Sequence, residues 1–103
     1  MHVVIFVTAS SRREARKISS ELVREKLAAC VNIIDKVDSI FFWEGKLQRS
    51  KEFLLVIKST RAKFTRLAGL VKSLHSYEVP EIIALPVIAG YKPYLRWIDA
   101  SIR

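Results

Sequence analysis

Apolar residues recur along the chain at two spacings, and each spacing predicts a type of secondary structure. The short β-branched run from His2 to Thr8 is typical of a strand buried on both faces. Ser11 then opens the pattern S-x-x-E, in which Glu14 can return a hydrogen bond to the start of a helix. We therefore expect a helix from Ser11 towards Cys30, with apolar positions at roughly helical spacing: Ala15, Ile18, Leu22, Val23 and Ala29.

Two β-rich segments follow and predict a hairpin. They run from Cys30 to Glu44 and from Lys51 to Thr60, and Gly45 with the polar residues KLQRS after it forms the predicted turn. The first segment would be ~50 Å long if extended throughout, at ~3.3 Å per residue, which exceeds an ordinary strand. We expect it to bend strongly or to project beyond its own sheet.

The tip of this hairpin carries four large apolar residues in succession, from Ile40 to Trp43. Successive residues of a strand point to opposite faces, so both faces of the ribbon are apolar, and a projecting ribbon also has unpaired edges. We predict that the hairpin pairs with strands of neighbouring subunits. The alternative is a bulged, bent strand that stays within one domain.

A helix, a strand and a last short helix complete the chain. One face of the second helix is marked by Phe64, Leu67, Ala68, Val71 and Leu74. The strand runs from Glu81 to Ile88, and its Pro86 predicts a sheet edge or a bulge. Pro93 suits the first turn of the last helix. The order β-α-β-β-α-β-α predicts an α+β fold, with residues 1–103 forming one ferredoxin-like domain and an added C-terminal helix.

Composition and charge narrow the class of partner. The 103 residues are 50% hydrophobic with a formal net charge of +8, which favours anionic partners without naming one. No apolar run approaches the ~20 residues of a membrane span, so a membrane partner is not expected. Nucleic acid is not expected either, because KEFLLVIKS offers only Phe53 for base stacking. A start that lacks the pattern of a secretory signal, together with a single cysteine, predicts a cytoplasmic location.

Five short motifs, in order and at the expected spacing, resemble those of one family. They are LAACVNI (Leu27 to Ile33), WEGKL (Trp43 to Leu47), IKST (Ile57 to Thr60), HSYEVPEIIALPV (His75 to Val87) and YLRWI (Tyr94 to Ile98). Together they resemble the CutA family of divalent-cation-tolerance proteins. The resemblance implies a ferredoxin-like subunit, a tight homotrimer built by strand pairing, a cytoplasmic location in bacteria and an association with copper and other divalent ions. The family fold is also similar to that of PII signalling proteins, which bind small anionic effectors between subunits.

The first functional hypothesis is a divalent-metal site formed by Cys30, His75 and Glu81. Thiolate and imidazole suit copper, and a carboxylate can complete a mixed set of ligands. Each residue also has a structural interpretation, as a small buried hydrophobe, a helix-end histidine and a capping or salt-bridging carboxylate respectively. Some family members carry further ligands where this chain has Val7 and Leu74. The expected cofactor is Cu(II) or another divalent cation, with no organic cofactor.

The second hypothesis is a PII-like regulatory module that binds a small anionic metabolite between subunits. Lys58 would supply a positive charge, and Trp43 and Tyr77 would supply the walls of the cleft, unless these aromatic residues are interface anchors. No motif for nucleophilic or acid-base catalysis stands out in the sequence. The prediction is therefore a non-catalytic homotrimer that binds divalent metal ions, and the alternative is the effector-binding regulator.

Overall fold

The computed structural model describes residues 1–103 and contains four strands and three α-helices. The elements follow one another in this order: β1 (His2–Ala9), α1 (Arg12–Arg24), β2 (Cys30–Trp43), β3 (Lys46–Thr60), α2 (Phe64–Leu74), β4 (Ile82–Pro86) and α3 (Lys92–Ser101). A short 3-10 turn, Arg61–Lys63, leads into α2. The predicted succession of elements is confirmed.

The four strands form one antiparallel sheet in the order β2-β3-β1-β4. Helices α1 and α2 pack on one face of this sheet and share a core with it, because alternate residues of β1 and β3 point towards the helices. The ferredoxin-like prediction is therefore confirmed. Burying each large aliphatic side chain contributes about 1.5–3 kcal/mol, and the fully buried members are Ile5, Val7, Ile18, Leu22, Leu55, Ile57, Leu67 and Val71.

Helix α1 begins as the sequence predicts and ends earlier. The backbone N–H of Glu14 donates to Ser11 Oγ at 3.1 Å, which caps the first turn. The helix ends because Lys26 adopts the left-handed conformation, with φ of +57°, and its N–H donates to the Val23 carbonyl at 3.1 Å. Ala29, predicted on α1, instead packs against α3.

The turn of the hairpin contains two residues, and the prediction of a polar turn over KLQRS is wrong. Glu44 and Gly45 have φ values of +51° and +76°, the combination that a tight two-residue hairpin requires. Strand β3 consequently begins at Lys46, which pairs with Trp43, and Ser50 of the supposed turn already lies within the ladder.

A β-bulge interrupts the long hairpin near its middle. Strand β2 has one residue more than β3 between the pairs Ile34–Leu54 and Val37–Glu52, and Lys36 within the bulge has φ of +63°. The molecule measures 45 × 25 × 23 Å, because the part of the hairpin beyond the bulge projects from the sheet. Strand β2 therefore contains a bulge and also projects beyond the sheet.

The second face of the sheet is covered at one end only. Ile98 of α3 and Ile102 at its C-cap pack on Ala29, and His2 Nε2 lies 2.9 Å from a carboxylate oxygen of Asp99. Pro86 ends β4 at the edge of the sheet, as predicted. The uncovered part of this face, which we call the open sheet face, is apolar and consists of Val4, Phe6, Ile34, Leu54, Val56, Ile83 and Leu85.

Candidate functional site

The segment between α2 and β4, residues 75–81, begins with a fully buried histidine. The side chain of His75 has no exposed surface. Its Nε2 lies 2.7 Å from the Thr8 carbonyl, and its Nδ1 accepts the Tyr77 N–H at 3.0 Å. This pattern requires a proton on Nε2 and a lone pair on Nδ1, so both ring nitrogens are occupied. His75 therefore fixes the start of the segment and leaves no nitrogen for a metal ion.

Glu14 holds the same segment from the side of α1. Its carboxylate accepts the N–H of Ser10 at 3.0 Å and the N–H of Ser76 at 2.8 Å, and it lies 4.0 Å from His75 Nδ1. Partial burial acts to raise the pKa of Glu14, but the hydrogen bonds from Ser10 and Ser76 outweigh it and hold that pKa below its usual range. One carboxylate thus joins the start of α1 to the end of α2.

Tyr77 and Glu52 form a polar contact at the edge of the core. The Tyr77 hydroxyl donates to a carboxylate oxygen of Glu52 at 2.7 Å, and Glu52 is a buried residue with 7% of its surface exposed. Burial and the neighbouring carboxylate together raise the pKa of Tyr77 to about 12. The phenol therefore remains a hydrogen-bond donor to Glu52 over the physiological pH range.

Tyr77 and the two glutamates that follow it form one wall of a cleft of about 810 Å³ at the base of the projecting hairpin, which we call the hairpin cleft. The hairpin supplies the opposite wall, including Phe41 and Trp43 of β2 and Glu52 of β3. Three carboxylates, from Glu52, Glu78 and Glu81, line the hairpin cleft, and Arg49 is its one basic lining residue. The hairpin cleft is therefore acidic although the whole chain is strongly basic.

The structure does not bring the three predicted metal ligands together within one subunit. Cys30 lies opposite Lys58 in the register, whereas His75 contacts Thr8 at the other end of β1. Because Lys58 pairs with Val4, about 13 Å of strand separates the two positions along the sheet. No three His, Cys, Asp or Glu side chains form a group that could hold a metal ion. Glu81 is the one predicted ligand that lines the hairpin cleft.

The structure also separates the three residues that the anionic-metabolite hypothesis places in one cleft. Trp43 and Tyr77 line the hairpin cleft, but Lys58 does not. The Lys58 ammonium instead donates to the Asn32 side-chain carbonyl near α3. Close by, Cys30 Sγ lies 3.5 Å from the Tyr94 hydroxyl. The hydrogen bond with Cys30, together with partial burial, raises the pKa of Tyr94 to about 12.

Sequence reasoning missed two carboxylates that hold the segment between α2 and β4. Glu52 directly precedes the apolar run FLLVI. A carboxylate next to buried residues needs a hydrogen-bond partner, so its position could have indicated a buried polar contact. Glu14 was predicted only as a helix cap, although it also binds Ser76, 62 residues away. Neither partner could be read from spacing, because both contacts depend on how α2 and β3 pack.

Fold and site together define a class of protein, and comparison with known proteins then defines its family. The antiparallel sheet with two helices on one face and a projecting hairpin is a ferredoxin-like α+β subunit with an acidic cleft. None of its helices combines the length and apolar character that crossing a membrane requires. The chain belongs to the family of CutA1 divalent ion tolerance proteins, whose family model matches residues 3–101.

Relatives from distant organisms agree with this assignment. The divalent-cation tolerance protein CutA of Archaeoglobus fulgidus is 43% identical over 102 residues, which are 99% of each chain. Its solved structure, described as periplasmic, has a TM-score of 0.97 and covers 100% of both chains. The divalent cation tolerance protein structure from Thermus thermophilus is 45% identical, with a TM-score of 0.94 over 95% of each chain.

A plant relative is considerably longer. The chloroplastic protein CutA of Arabidopsis thaliana is 43% identical over 101 residues. These residues are 98% of the present chain but 56% of the plant protein, so the chain spans little more than half the length of that relative.

Proposed function

We propose that this protein acts in divalent-cation tolerance as a non-catalytic homotrimer that binds divalent cations, Cu(II) among them, in the hairpin cleft. The observation that carries the proposal is the gathering of three carboxylates in the hairpin cleft of a chain with a net charge of +8. Family membership supports the class of ligand, since the matching proteins are named for divalent-cation tolerance.

The cation ligands that we propose are Glu78 and Glu81. Both residues are exposed to solvent, both line the hairpin cleft, and neither makes an ion pair within the chain. Carboxylate oxygens bind hard divalent cations, and Cu(II) stands near the top of the affinity order for most sites. The same carboxylates disfavour a small anionic metabolite, because they place three negative groups against one guanidinium, that of Arg49.

The trimer that we propose would cover surfaces that a lone subunit leaves exposed. The open sheet face is apolar, with Ile83 50% exposed and Leu85 41% exposed. At the hairpin tip Phe42 is 74% exposed and Trp43 is 52% exposed. Contiguous apolar patches of this kind mark interaction surfaces, and the unpaired hairpin edges can extend a neighbour's sheet.

Calorimetric titration with Cu(II) and with Zn(II) tests the cation site. The starting protein is tag-free and carries His2→Ala, because the imidazole of His2 can chelate Cu(II) with the nearby backbone if Met1 is the first residue. The test variant adds Glu78→Gln and Glu81→Gln. We expect binding at a fixed ratio per chain, weakened at least tenfold in the test variant.

The matched control adds Glu25→Gln and Glu44→Gln, which remove two exposed carboxylates outside the hairpin cleft. Light scattering on each variant verifies that the assembly is unchanged. Equal weakening in both variants would show that the cation responds to total charge. A cation affinity that neither pair of substitutions changes would show that the hairpin cleft is not the site. A dimer or monomer in solution would contradict the trimer.

We also propose a cytoplasmic location, one domain over residues 1–103 and no catalysis. The thiol of Cys30 is free, as is common in a reducing compartment, although relatives are named as chloroplastic and periplasmic. One shared core between the sheet and helices α1 and α2 supports the single domain. Cell fractionation tests the location, and a single cooperative unfolding transition tests the domain.

A further inference from the structure

Nearly all of the net charge lies on the two helices that cover the sheet. Residues 12–26 and 61–74, which we call the helical layer, contain ten basic and three acidic residues. The other 74 residues contain eight basic and seven acidic ones. The helical layer thus carries a charge of +7 out of the total of +8. This segregation separates a basic surface from the acidic hairpin cleft.

Nine of the ten basic residues of the helical layer are exposed, and most have no acidic partner. Arg13, Arg16 and Lys17 of α1 and Arg61 and Arg66 before and within α2 are exposed to solvent, and none of them forms a salt bridge. Positions 13, 17, 20 and 24 form a stripe along α1 opposite its buried face, because each lies close to a whole number of turns from the others.

The three acidic residues do not neutralise this surface. Glu14 points inwards, where it binds Ser10 and Ser76, and Glu21 is paired with Arg24 in the next turn. Glu25 lies at the C-cap of α1. Helix α2 contains no acidic residue at all. The outward surface of the helical layer therefore has unpaired cations with few anions between them.

The basic residues extend along the whole length of the helical layer. Glu14 at the start of α1 binds Ser76 just after α2, so the two helices run antiparallel. One end of the helical layer then carries Arg13 and Lys17, and the other end carries Arg66. The thirteen residues of α1 are ~20 Å long at ~1.5 Å per residue. A small anion would contact one end only, whereas an extended anion can contact both.

We infer that the helical layer is a docking surface for a linear phosphate polyanion, with inorganic polyphosphate as the defining example. Arg and Lys side chains distributed over ~20 Å can contact several phosphates of one chain at once. Each contact releases condensed counterions, so the affinity is strongly salt-dependent. A flexible chain can follow the spacing of cations on two helices without any shape requirement.

Other polyanionic partners fit this surface less well. Recognition of single-stranded nucleic acid uses aromatic stacking platforms, and the exposed aromatic residues lie on the hairpin, on α3 or just before α3. An interfacial membrane helix presents a wide apolar face, whereas Val23 is the one large apolar residue of the helical layer that is exposed. Charge is the feature that this surface offers, which favours a partner consisting of phosphates alone.

Fluorescence anisotropy of end-labelled polyphosphate tests the inference, in metal-free buffer at about 50, 100 and 200 mM salt. The full chain is compared with the triple variant Arg13→Gln, Lys17→Gln, Arg66→Gln. Loss of three phosphate contacts is expected to weaken binding on the order of 100-fold at about 0.1 M salt and to lower the salt slope by about 2.

The matched control is the triple variant Lys51→Gln, Lys92→Gln, Arg103→Gln, which removes three exposed cations outside the helical layer. Its net charge equals that of the test variant, and its affinity is expected to stay within about threefold of the parent. Equal losses in the two variants, or no binding at the lowest salt, would overturn the inference.

Two competitor ligands identify the partner. Duplex DNA or anionic phospholipid vesicles that bind as tightly as polyphosphate, at equal phosphate concentration, would also overturn the assignment, in favour of nucleic acid or a membrane surface. The cation titration of the hairpin cleft should be unchanged in both triple variants. A failure of polyphosphate binding would thus be distinguishable from a failure of the proposed cation site.

Discussion

Replacing Glu14 by Gln tests whether one carboxylate joins the two helices. The substitution keeps the size of the side chain but removes its charge. The carboxylate accepts N–H donors from Ser10 at 3.0 Å and from Ser76 at 2.8 Å, and only 12% of the side chain is exposed. Solvent screening of these contacts is therefore weak.

The expected loss follows from these two hydrogen bonds. A hydrogen bond to a charged group contributes about 1.5–3 kcal/mol, against about 0.5–1.5 kcal/mol between neutral groups, so two bonds lose about 2 kcal/mol. The favourable interaction of Glu14 with the N-terminus of α1 adds about 0.3–1 kcal/mol. We expect Glu14→Gln to lower the free energy of unfolding by about 2–3 kcal/mol at pH 7.

The loss of stability caused by Glu14→Gln should become smaller as the pH falls. The pKa of Glu14 is lower in the folded protein than in the unfolded chain, so its contribution is complete above the unfolded value of 4.5. That contribution disappears as the pH falls through the folded pKa, because the parent carboxylate then also becomes neutral. The difference between the parent and Glu14→Gln should therefore shrink as the pH falls from 5 towards 3.

Guanidinium unfolding, followed by tryptophan fluorescence, measures this difference. Every sample needs the same chain concentration, because subunit association contributes to apparent stability. Glu25→Gln, which removes an exposed carboxylate at the other end of α1, is the matched control and should change stability by less than about 0.5 kcal/mol. A loss below about 0.5 kcal/mol for Glu14→Gln at pH 7, or a loss independent of pH, would refute the reasoning.

Three further outcomes follow from the same structure. His75→Ala leaves the Thr8 carbonyl and the Tyr77 N–H without partners and should cost about 2–4 kcal/mol in chemical unfolding; no loss would contradict the buried network. Tyr77 and Tyr94 should ionise near pH 12 in an absorbance titration, with stability lost as the pH rises from 10 through 12, and Tyr77→Phe should remove one of these late steps. Lys26→Gly relieves a left-handed conformation and should raise stability by about 0.5–1 kcal/mol in thermal or chemical unfolding, whereas a decrease would contradict that explanation of the helix end.

Local sequence patterns were enough to predict the order of helices and strands, because the pattern of each segment favours the element that the segment forms. The S-x-x-E pattern at Ser11 marks the start of α1, although Glu14 accepts the N–H of Ser10 and not that of Ser11, and Pro86 marks an edge strand. The hairpin turn was misplaced because KLQRS has the composition of a turn, while the actual turn uses Glu44, which is not among the residues favoured at positive φ. The pairing of Lys46 with Trp43 is a tertiary outcome that composition does not specify.

The candidate site was only partly predictable, for a geometric reason. Trp43 and Tyr77, predicted as walls of an intersubunit cleft, and Glu81, predicted as a metal ligand, all line the hairpin cleft, and their roles stay predictions. The grouping of Cys30 with His75 depended on strand register, which places the two residues at opposite ends of the sheet. The sequence separation of two residues does not determine their distance across a sheet.

The bulge at Lys36 changes the phase of side-chain alternation along β2. Before it, even-numbered residues such as Ile34 lie on the open sheet face, whereas beyond it odd-numbered residues such as Phe41 and Trp43 line the hairpin cleft. A single inserted residue therefore decides which aromatic side chains point into the hairpin cleft and which point away. The alternation of side chains in the two halves of β2 is therefore shifted by one residue. Deleting the inserted residue would turn Phe41 and Trp43 away from the hairpin cleft and leave Ile34 on the open sheet face.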